Sequence, residues 1–270
     1  MRKKLVVVFL FFFSFTAFAQ TDNCSQKNVA FKSGEKISYE IFYNWGLLWL
    51  SAGEAEFSVS QLKYNNKICY HFIGNGYTYP KYDIFYKVRD RFETICDSLT
   101  FKPIRYIRDT REGGNRVYND NVFNFKKNLA YSFTPQKNHS IKTDSTTISK
   151  CSFDVLSMIY FARNIDFNNY PVNSKIPISL YLDNHVYSLY IQYLGKEKMK
   201  TDLGEFNCVK FHPLLVEGTI FKAGDEMTVW VSDDMNKLPI YVETPIIIGS
   251  IKVKLKSFEA LKNTLTSKIK

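Results

Sequence analysis

The stretch Lys36-Ile37-Ser38-Tyr39-Glu40-Ile41-Phe42-Tyr43 alternates at every second position. Ile37, Tyr39, Ile41 and Tyr43 make one face apolar, while Lys36, Ser38 and Glu40 occupy the other. Successive side chains of a strand point to opposite faces, so this period of two predicts a strand with one face on a core and one in water. Near the other end of the chain, Ile251, Val253 and Leu255 alternate with Lys252, Lys254 and Lys256 in the same way. The lysine row reads as charge on an edge or solvated strand, with a binding stripe as the alternative.

Working inward from these two stretches, apolar runs recur between turn residues. Ser51 to Leu62 and Lys67 to Gly74 flank Tyr64-Asn65-Asn66, a tight turn. Arg89 to Cys96 and Lys102 to Arg111 follow, and Gly113-Gly114-Asn115 leads into Val117 to Phe125. Lys127-Asn128 turns the chain into Leu129 to Phe133. Further strands are expected at Ile176 to Leu182, Val186 to Leu194, Phe206 to Phe211, Met227 to Ser232 and Leu238 to Glu243. The last two are joined by Asp233-Asp234-Met235-Asn236, and Pro239 suits an edge strand. One helix is expected, capped by Ser152, with Asp154 at its positive end and Val155, Met158, Ile159 and Ala162 as its apolar face. A shorter helical turn is expected after Pro80, and a frayed tail after Phe258.

This pattern is all-β with a minor α part: antiparallel curved sheets forming a sandwich or half-open barrel, with one helix between two β-rich halves. The halves span about 24–150 and 175–260 and belong to a single β-rich domain, 20–270.

The first residues speak to location. Arg2, Lys3 and Lys4 precede the unbroken apolar run Leu5 to Phe13, and Ala17-Phe18-Ala19 supplies a small-x-small cleavage site. Residues 1–19 are therefore read as a signal peptide, too short in its apolar part to be a good membrane span. The expected location is the periplasm or cell envelope, soluble after cleavage. The formal charge is +10, and removing three basic residues and no acidic one leaves +7. Such a charge either aids solubility or draws the protein to anionic headgroups or acidic glycans, and export removes it from nucleic acid. Peripheral membrane contact follows from the same charge.

Five cysteines, Cys24, Cys69, Cys96, Cys151 and Cys208, cannot all pair within one chain. One or two disulfides suit an oxidising compartment, though spacing leaves the pairing open. Thr21-Asp22-Asn23 before Cys24 is the wrong chemistry for a lipoprotein anchor. No C-x-x-C pair is present. Cys69 with His71, and Cys208 with His212, are isolated pairs better read as core or surface than as ligands. No metal and no cofactor are expected.

Catalytic signatures are absent: there is no G-x-S-x-G, H-E-x-x-H, phosphate-binding glycine loop or dinucleotide fingerprint. Glu54, within Ser51-Ala52-Gly53-Glu54-Ala55, is a buried carboxyl with a raised pKa, the exposed member of an alternating strand, or an ion-pair partner of Arg89, Arg91 or Arg105. The aromatic surplus is more suggestive. Trp45, Leu47, Leu48, Trp49 and Leu50 form one greasy segment, and Tyr77, Tyr79, Tyr82, Phe85 and Tyr86 a second. Such residues line an apolar cavity, form a membrane-facing rim, or fill a wide curved sheet.

Gly34-Glu35-Lys36-Ile37-Ser38-Tyr39, Trp49-Leu50-Ser51-Ala52-Gly53-Glu54-Ala55, Met227-Thr228-Val229-Trp230-Val231-Ser232-Asp233-Asp234, Leu238-Pro239-Ile240 and Gly249-Ser250-Ile251 together resemble the exported bacterial domain of unknown function 3108 family. The resemblance spans nearly the whole mature chain, and because the family has no established activity it implies no catalytic residue. More loosely, Trp230-Val231-Ser232-Asp233 with Leu238-Pro239 looks like the hairpin of periplasmic lipoprotein carriers of the localisation-factor type, which hold acyl chains in a half-open β-barrel.

The expected function is non-enzymatic binding or carrying of an apolar or amphipathic ligand, such as a lipid or acyl chain. Trp45, Trp49, Tyr77, Tyr79, Phe85 and Trp230 are its candidate ligand-binding residues. An envelope scaffold docking a protein partner through a sheet face or edge is the alternative, with a filled core and an exposed apolar patch. A glycan or lipid hydrolase using Glu54 or an Asp as acid is the third reading.

Overall fold

The computed structural model describes residues 26–136, 140–215, 227–246 and 249–269. The expected signal at 1–19, together with Cys24 and His139, lies outside the described residues. Strands β1 (Lys36–Trp45), β2 (Leu48–Tyr64), β3 (Lys67–Thr78), β4 (Arg89–Asp97), β5 (Pro103–Glu112), β6 (Asn115–Asn124), β7 (Leu129–Pro135) and β8 (Ile141–Thr147) run as an antiparallel meander. A short β9 (Ser152–Phe153) and the helix α1 (Val155–Ala162) follow. The chain returns through β10 (Lys175–Leu182), β11 (His185–Thr201), β12 (Gly204–Pro213), β13 (Thr228–Ser232), β14 (Pro239–Pro245) and β15 (Ser250–Glu259).

All fifteen strands belong to one sheet, ordered β8-β7-β6-β5-β4-β3-β2-β1-β15-β14-β13-β12-β11-β10-β9. The sandwich alternative, two stacked sheets, is not what forms. The seam between the halves is β1 with β15, from Lys36 opposite Glu259 to Asn44 opposite Ser250. The two stretches with the clearest alternation are thus each other's partners, and the lysine row lies on an interior strand rather than an edge. Pro239 likewise sits on an interior strand, at a bulge opposite Val231. Bulges also fall at Ser38/Tyr39, Ile41/Phe42, Ile95/Cys96 and Tyr193/Gly195, and each adds local twist and bend. The far arms meet through side chains: Arg108 forks onto Asp183 at 2.8 and 3.0 Å, and Thr146 Oγ1 donates to the Asn184 carbonyl at 2.8 Å.

Two-residue turns set the register of several hairpins. Asn65 and Asn66 (φ +47° and +63°) and Gly113 and Gly114 (φ +54° and +93°) occupy the left-handed region that such turns require.

Helix α1 fills the concave side. Its cap is Asp154, not Ser152: the Asp154 carboxylate accepts from the Leu156 and Ser157 backbone N–H groups, and Ser157 Oγ accepts from the Asp154 N–H. Thr94 Oγ1, on β4, donates to the same carboxylate at 2.7 Å and ties helix to sheet. The deepest face is Leu156, Ser157, Tyr160 and Phe161 rather than Val155, Met158, Ile159 and Ala162, because sheet surrounds the helix on several sides. Phe72 of β3 stacks on Tyr160 with centroids 3.9 Å apart. Phe31, from the segment before β1, packs edge-on against both. Arg163, just after α1, is buried against Glu35.

The tail after Phe258 is not frayed. Leu261 and Leu265 pack on a second core containing Phe206, Leu238 and Ile240, and the Asn263 backbone N–H donates to Asn236 Oδ1 at 2.9 Å. Cys69, Cys96 and Cys208 are buried free thiols, and Cys151 is disulfide-bonded. Burial pushes the Cys208 thiol up to about 12. No helix of the described residues is long and apolar enough to cross a membrane.

Candidate functional site: an aromatic rim above a charged outer face

Because the strands alternate in direction, the β1–β2, β3–β4, β5–β6 and β14–β15 connections share one rim. The β1–β2 hairpin projects furthest. Leu47 is fully exposed at its tip, and Trp45, Leu48 and Trp49 are each at least 44% exposed. Gly249, in the β14–β15 turn, abuts this hairpin so closely that a Cβ there would lie 2.2 Å from the Asn44 carbonyl oxygen. On the other side the β3–β4 loop presents Ile84, Phe85 and Tyr86, the first two more than 80% exposed. Of fifteen large apolar side chains exposed among the described residues, seven lie at the tip of this hairpin and in this loop, which makes the rim a patch rather than scatter.

The loop carrying Phe85 is built, not slack. A 3-10 turn over Pro80–Tyr82 opens it, as expected after Pro80. Asp83 accepts from Thr78 Oγ1 at 2.8 Å and from Arg89 at 2.6 and 3.1 Å, closing the loop at its base. The Arg89 guanidinium and that hydroxyl hold the Asp83 carboxyl below the usual carboxylate range. The Tyr86 ring lies over Gly113, where a Cβ would come within 2.5 Å of it, so the loop rests on the β5–β6 hairpin.

Below the rim, register places one row across the outer face: Lys210, Trp230, Tyr241, Lys254, Glu40, Glu54, Tyr77 and Arg89 are successive cross-strand partners. Lys252 lies 4.5 Å over the Trp49 ring and Lys254 4.8 Å over Phe42. Lys252 pairs with Glu243, and Lys256 donates to Glu54 at 2.5 Å. Glu54 also accepts from Tyr79 at 2.9 Å and Tyr77 at 3.2 Å. Lys256 foremost, then Tyr79, holds the Glu54 carboxyl below its ordinary range. That corrects the reading of Glu54 as a raised-pKa acid: near neutrality it has no proton to give, and its cationic partner is a lysine rather than an arginine.

The six candidate ligand residues therefore separate. Trp45, Trp49 and Phe85 stand on the rim; Tyr77 and Tyr79 are tied to Glu54; Trp230 is buried beneath Lys210, with Nε1 donating to Glu197. His71 contacts Glu93 at 2.8 Å and His212 contacts Thr228 at 2.9 Å. Among the described residues no cluster of three or more His, Cys, Asp or Glu is placed to hold a metal.

Two recesses lie beside the rim and are lined mainly by charged and polar residues. The larger, about 440 Å³, is bounded by Glu56, Tyr77, Arg89, Arg91, Asp109 and Arg111, among others. The smaller, about 290 Å³, is bounded by Lys87, Arg89, Arg111, Gly114, Asn115 and Arg116. These arginines are scattered along the chain, and the sequence signal that groups them is their recurrence near the rim ends of β4, β5 and β6.

Asp90 edges the larger recess and accepts the Arg111 backbone N–H at 3.0 Å. Partial burial, reinforced by the adjacent Glu112 carboxylate, pushes its carboxyl up to about 6. A carboxyl raised on folding favours the native state at low pH, and that advantage is lost as pH rises through about 6. Asp90→Asn keeps an acceptor for the N–H and removes the charge. Allowing for solvent screening, it should raise stability by about 1 kcal/mol near pH 8 and leave it unchanged near pH 3. Urea unfolding at the two pH values checks this, and an equal effect at both would contradict it.

A crystal structure described as a β-barrel-like protein of domain of unknown function DUF1849 from Brucella abortus superposes with a TM-score of 0.58 at 9% identity, covering 84% of this chain and 97% of that one. At that identity the likeness concerns the fold alone. A crystal structure from Parabacteroides distasonis ATCC 8503 described as a "putative lipoprotein" covers 87% of this chain and 99% of its own at 11% identity, with a TM-score of 0.34, too low to carry an argument. No curated protein matches the chain. The model of one family, described as "Protein of unknown function (DUF3108)", matches residues 38–256, from the second residue after the start of β1 to the outer-face lysines of β15. By that match, which includes most of both strands of the seam and the whole rim between them, the chain belongs to the DUF3108 family.

Proposed function

We propose that this protein is a non-enzymatic cell-envelope component that binds an amphipathic surface, the headgroup and upper acyl region of an anionic lipid layer, through its aromatic rim. The observation that carries this reading is the concentration of seven exposed large apolar side chains at the tip of one hairpin and in one neighbouring, well-braced loop. Trp45, Trp49 and Phe85 enter the interface, where amphipathic rings are at home. The +7 formal charge left once residues 1–19 are removed, and the arginines and Lys87 behind the rim, complement anionic headgroups. Tyr77, Tyr79 and Trp230 act from below, bracing the outer face that carries the rim. The concave side is occupied by α1 and its aromatic neighbours, so the rim rather than an interior cavity makes the contact.

Co-sedimentation with phosphatidylcholine vesicles, with and without phosphatidylglycerol, tests the proposal. The purified protein should sediment with the anionic vesicles. Trp45→Ser/Trp49→Ser should lose about 2–4 kcal/mol of binding, roughly thirtyfold to several hundredfold in affinity, without loss of fold. Failure of the unmodified protein to sediment with either vesicle would shift the rim to a protein partner, the scaffold reading.

A further inference from the structure

We propose that the smaller recess is a seat for the phosphate group of an anionic amphiphile; the inference rests on the rim reading above and adds the chemistry of the ligand. Arg111 stands directly opposite Arg116 across β5 and β6. Arg89 falls between the Val88–Glu112 and Arg91–Asp109 pairings of β4 with β5, and so opposite Arg111 on its other side. Like charges directly opposite on a sheet face oppose folding, and here three guanidinium groups stand in one row.

Their neutralisation is incomplete on the side that matters. Asp83 takes Arg89, and Asp109 takes Arg116 with two bonds of 2.9 Å. Neither carboxylate lines the recess, nor does Asp90 or Glu112. These bonds hold Arg89 and Arg116 in place. Arg111 reaches Asp109 only at 3.8 Å with its side chain 60% exposed, and Lys87 makes no ion pair among the described residues. Two anchored cations and two more loosely held ones therefore border about 290 Å³ of open space. At Gly114 (φ +93°) nothing lies within 4 Å of where a Cβ would stand, so no side chain crowds that side of the recess, and the Asn115 amide adds a donor at its edge. Several guanidinium donors around one small volume suit a tetrahedral oxyanion.

The position selects an amphiphile over a soluble anion. Lys87 follows Tyr86 directly, so the recess opens beside Ile84-Phe85-Tyr86, and the Tyr86 ring on Gly113 fixes that apolar loop to the hairpin carrying the recess. A headgroup phosphate in the recess would place its acyl chains along the exposed Ile84 and Phe85.

The test compares the unmodified protein with Lys87→Ala/Arg111→Ala, Ile84→Ser/Phe85→Ser and, as a charge control, Lys126→Ala/Lys127→Ala in the β6–β7 turn at the opposite end of the sheet. Each is titrated with phosphatidylcholine vesicles, with the same vesicles containing phosphatidylglycerol, and with inorganic phosphate. Lys87→Ala/Arg111→Ala should lose about tenfold or more in affinity for the anionic vesicles, with a shallower salt dependence, and bind neutral vesicles as the unmodified protein does. Ile84→Ser/Phe85→Ser should weaken binding to both vesicles, and the control should match the unmodified protein. Undiminished binding of Lys87→Ala/Arg111→Ala to anionic vesicles would overturn the phosphate seat and leave the rim reading standing. An equal loss in the control would reduce the effect to net charge and also overturn it. Saturable binding of inorganic phosphate that depends on Lys87 and Arg111, without preference for anionic vesicles, would assign the recess to a soluble anion and overturn the amphiphile. No binding of the unmodified protein to either vesicle would overturn the rim reading and this inference together.

Discussion

Replacing Arg163 by Met should lower the free energy of unfolding by about 3–5 kcal/mol, among the largest effects available to a single substitution here. The guanidinium is buried and forks onto Glu35 at 2.5 and 3.0 Å. It also donates from Nε and Nη2 to the Asn236 carbonyl, both at 3.1 Å, and lies over the Phe31 and Tyr160 rings. One side chain thus holds together the end of α1, the segment before β1 and the β13–β14 turn. Removing it leaves the Glu35 carboxylate buried without its cation, and that orphaned charge is the main cost. Glu35→Leu alone should be comparably harmful, and the double variant Glu35→Leu/Arg163→Met should recover part of the loss, because neither charge is then stranded. Urea unfolding of the three variants measures this. Additive losses, or a loss below about 1 kcal/mol in Arg163→Met, would contradict it.

Phe31→Ala should cost a similar amount, about 3–5 kcal/mol, through a different cause. Phe31 is fully buried, and its ring meets those of Tyr160, Tyr70, Phe72 and Phe101 at centroid distances of 4.9, 5.1, 5.6 and 5.8 Å. Truncation opens a cavity bounded by four rings that the sheet and helix hold fixed, so little of it can collapse. The backbone there is also committed: Asn164 Oδ1 accepts from the Val29 and Ala30 N–H groups, and Asn28 Nδ2 donates to the Tyr70 hydroxyl at 2.7 Å. The segment before β1 is therefore the last layer over the core, although it lies outside the stretch matched by the family model. Phe31→Leu should cost less than half as much, since it refills most of the volume. Equal losses for Ala and Leu would point to the aromatic contacts instead of the cavity.

What could be read from the residues follows the range of the physics. Period-two alternation and Asn or Gly pairs act within a few residues, so β1, β2, β3 and the Asn65-Asn66 turn were legible in place and type. Strand β8 escaped because its residues are mostly exposed, which leaves no apolar face to alternate. The deep face of α1 was misassigned because apolar residues surround it and several stripes compete. The β1–β15 seam has no local signature, since its strands lie some two hundred residues apart; with it went the true partner of Glu54, because only that pairing brings Lys256 near. The greasy segments around Trp49 and Phe85 stood out by composition, and register alone shows that they share a rim. The tail looked frayed because its lysines are conspicuous, whereas Leu261, Leu265 and Asn263 do the packing and bonding.

The central claim is that the rim enters a lipid interface, and quenching of tryptophan fluorescence by lipids brominated at different acyl depths tests it most directly. Trp45 and Trp49 stand on the rim, and Trp230 is buried under Lys210 on the outer face. The account predicts strong quenching by shallow bromines in anionic vesicles, abolished in Trp45→Phe/Trp49→Phe, whose remaining emission comes from Trp230. Emission that is unchanged by brominated lipid while the protein is bound to vesicles would mean that another surface makes the contact, and would contradict the claim.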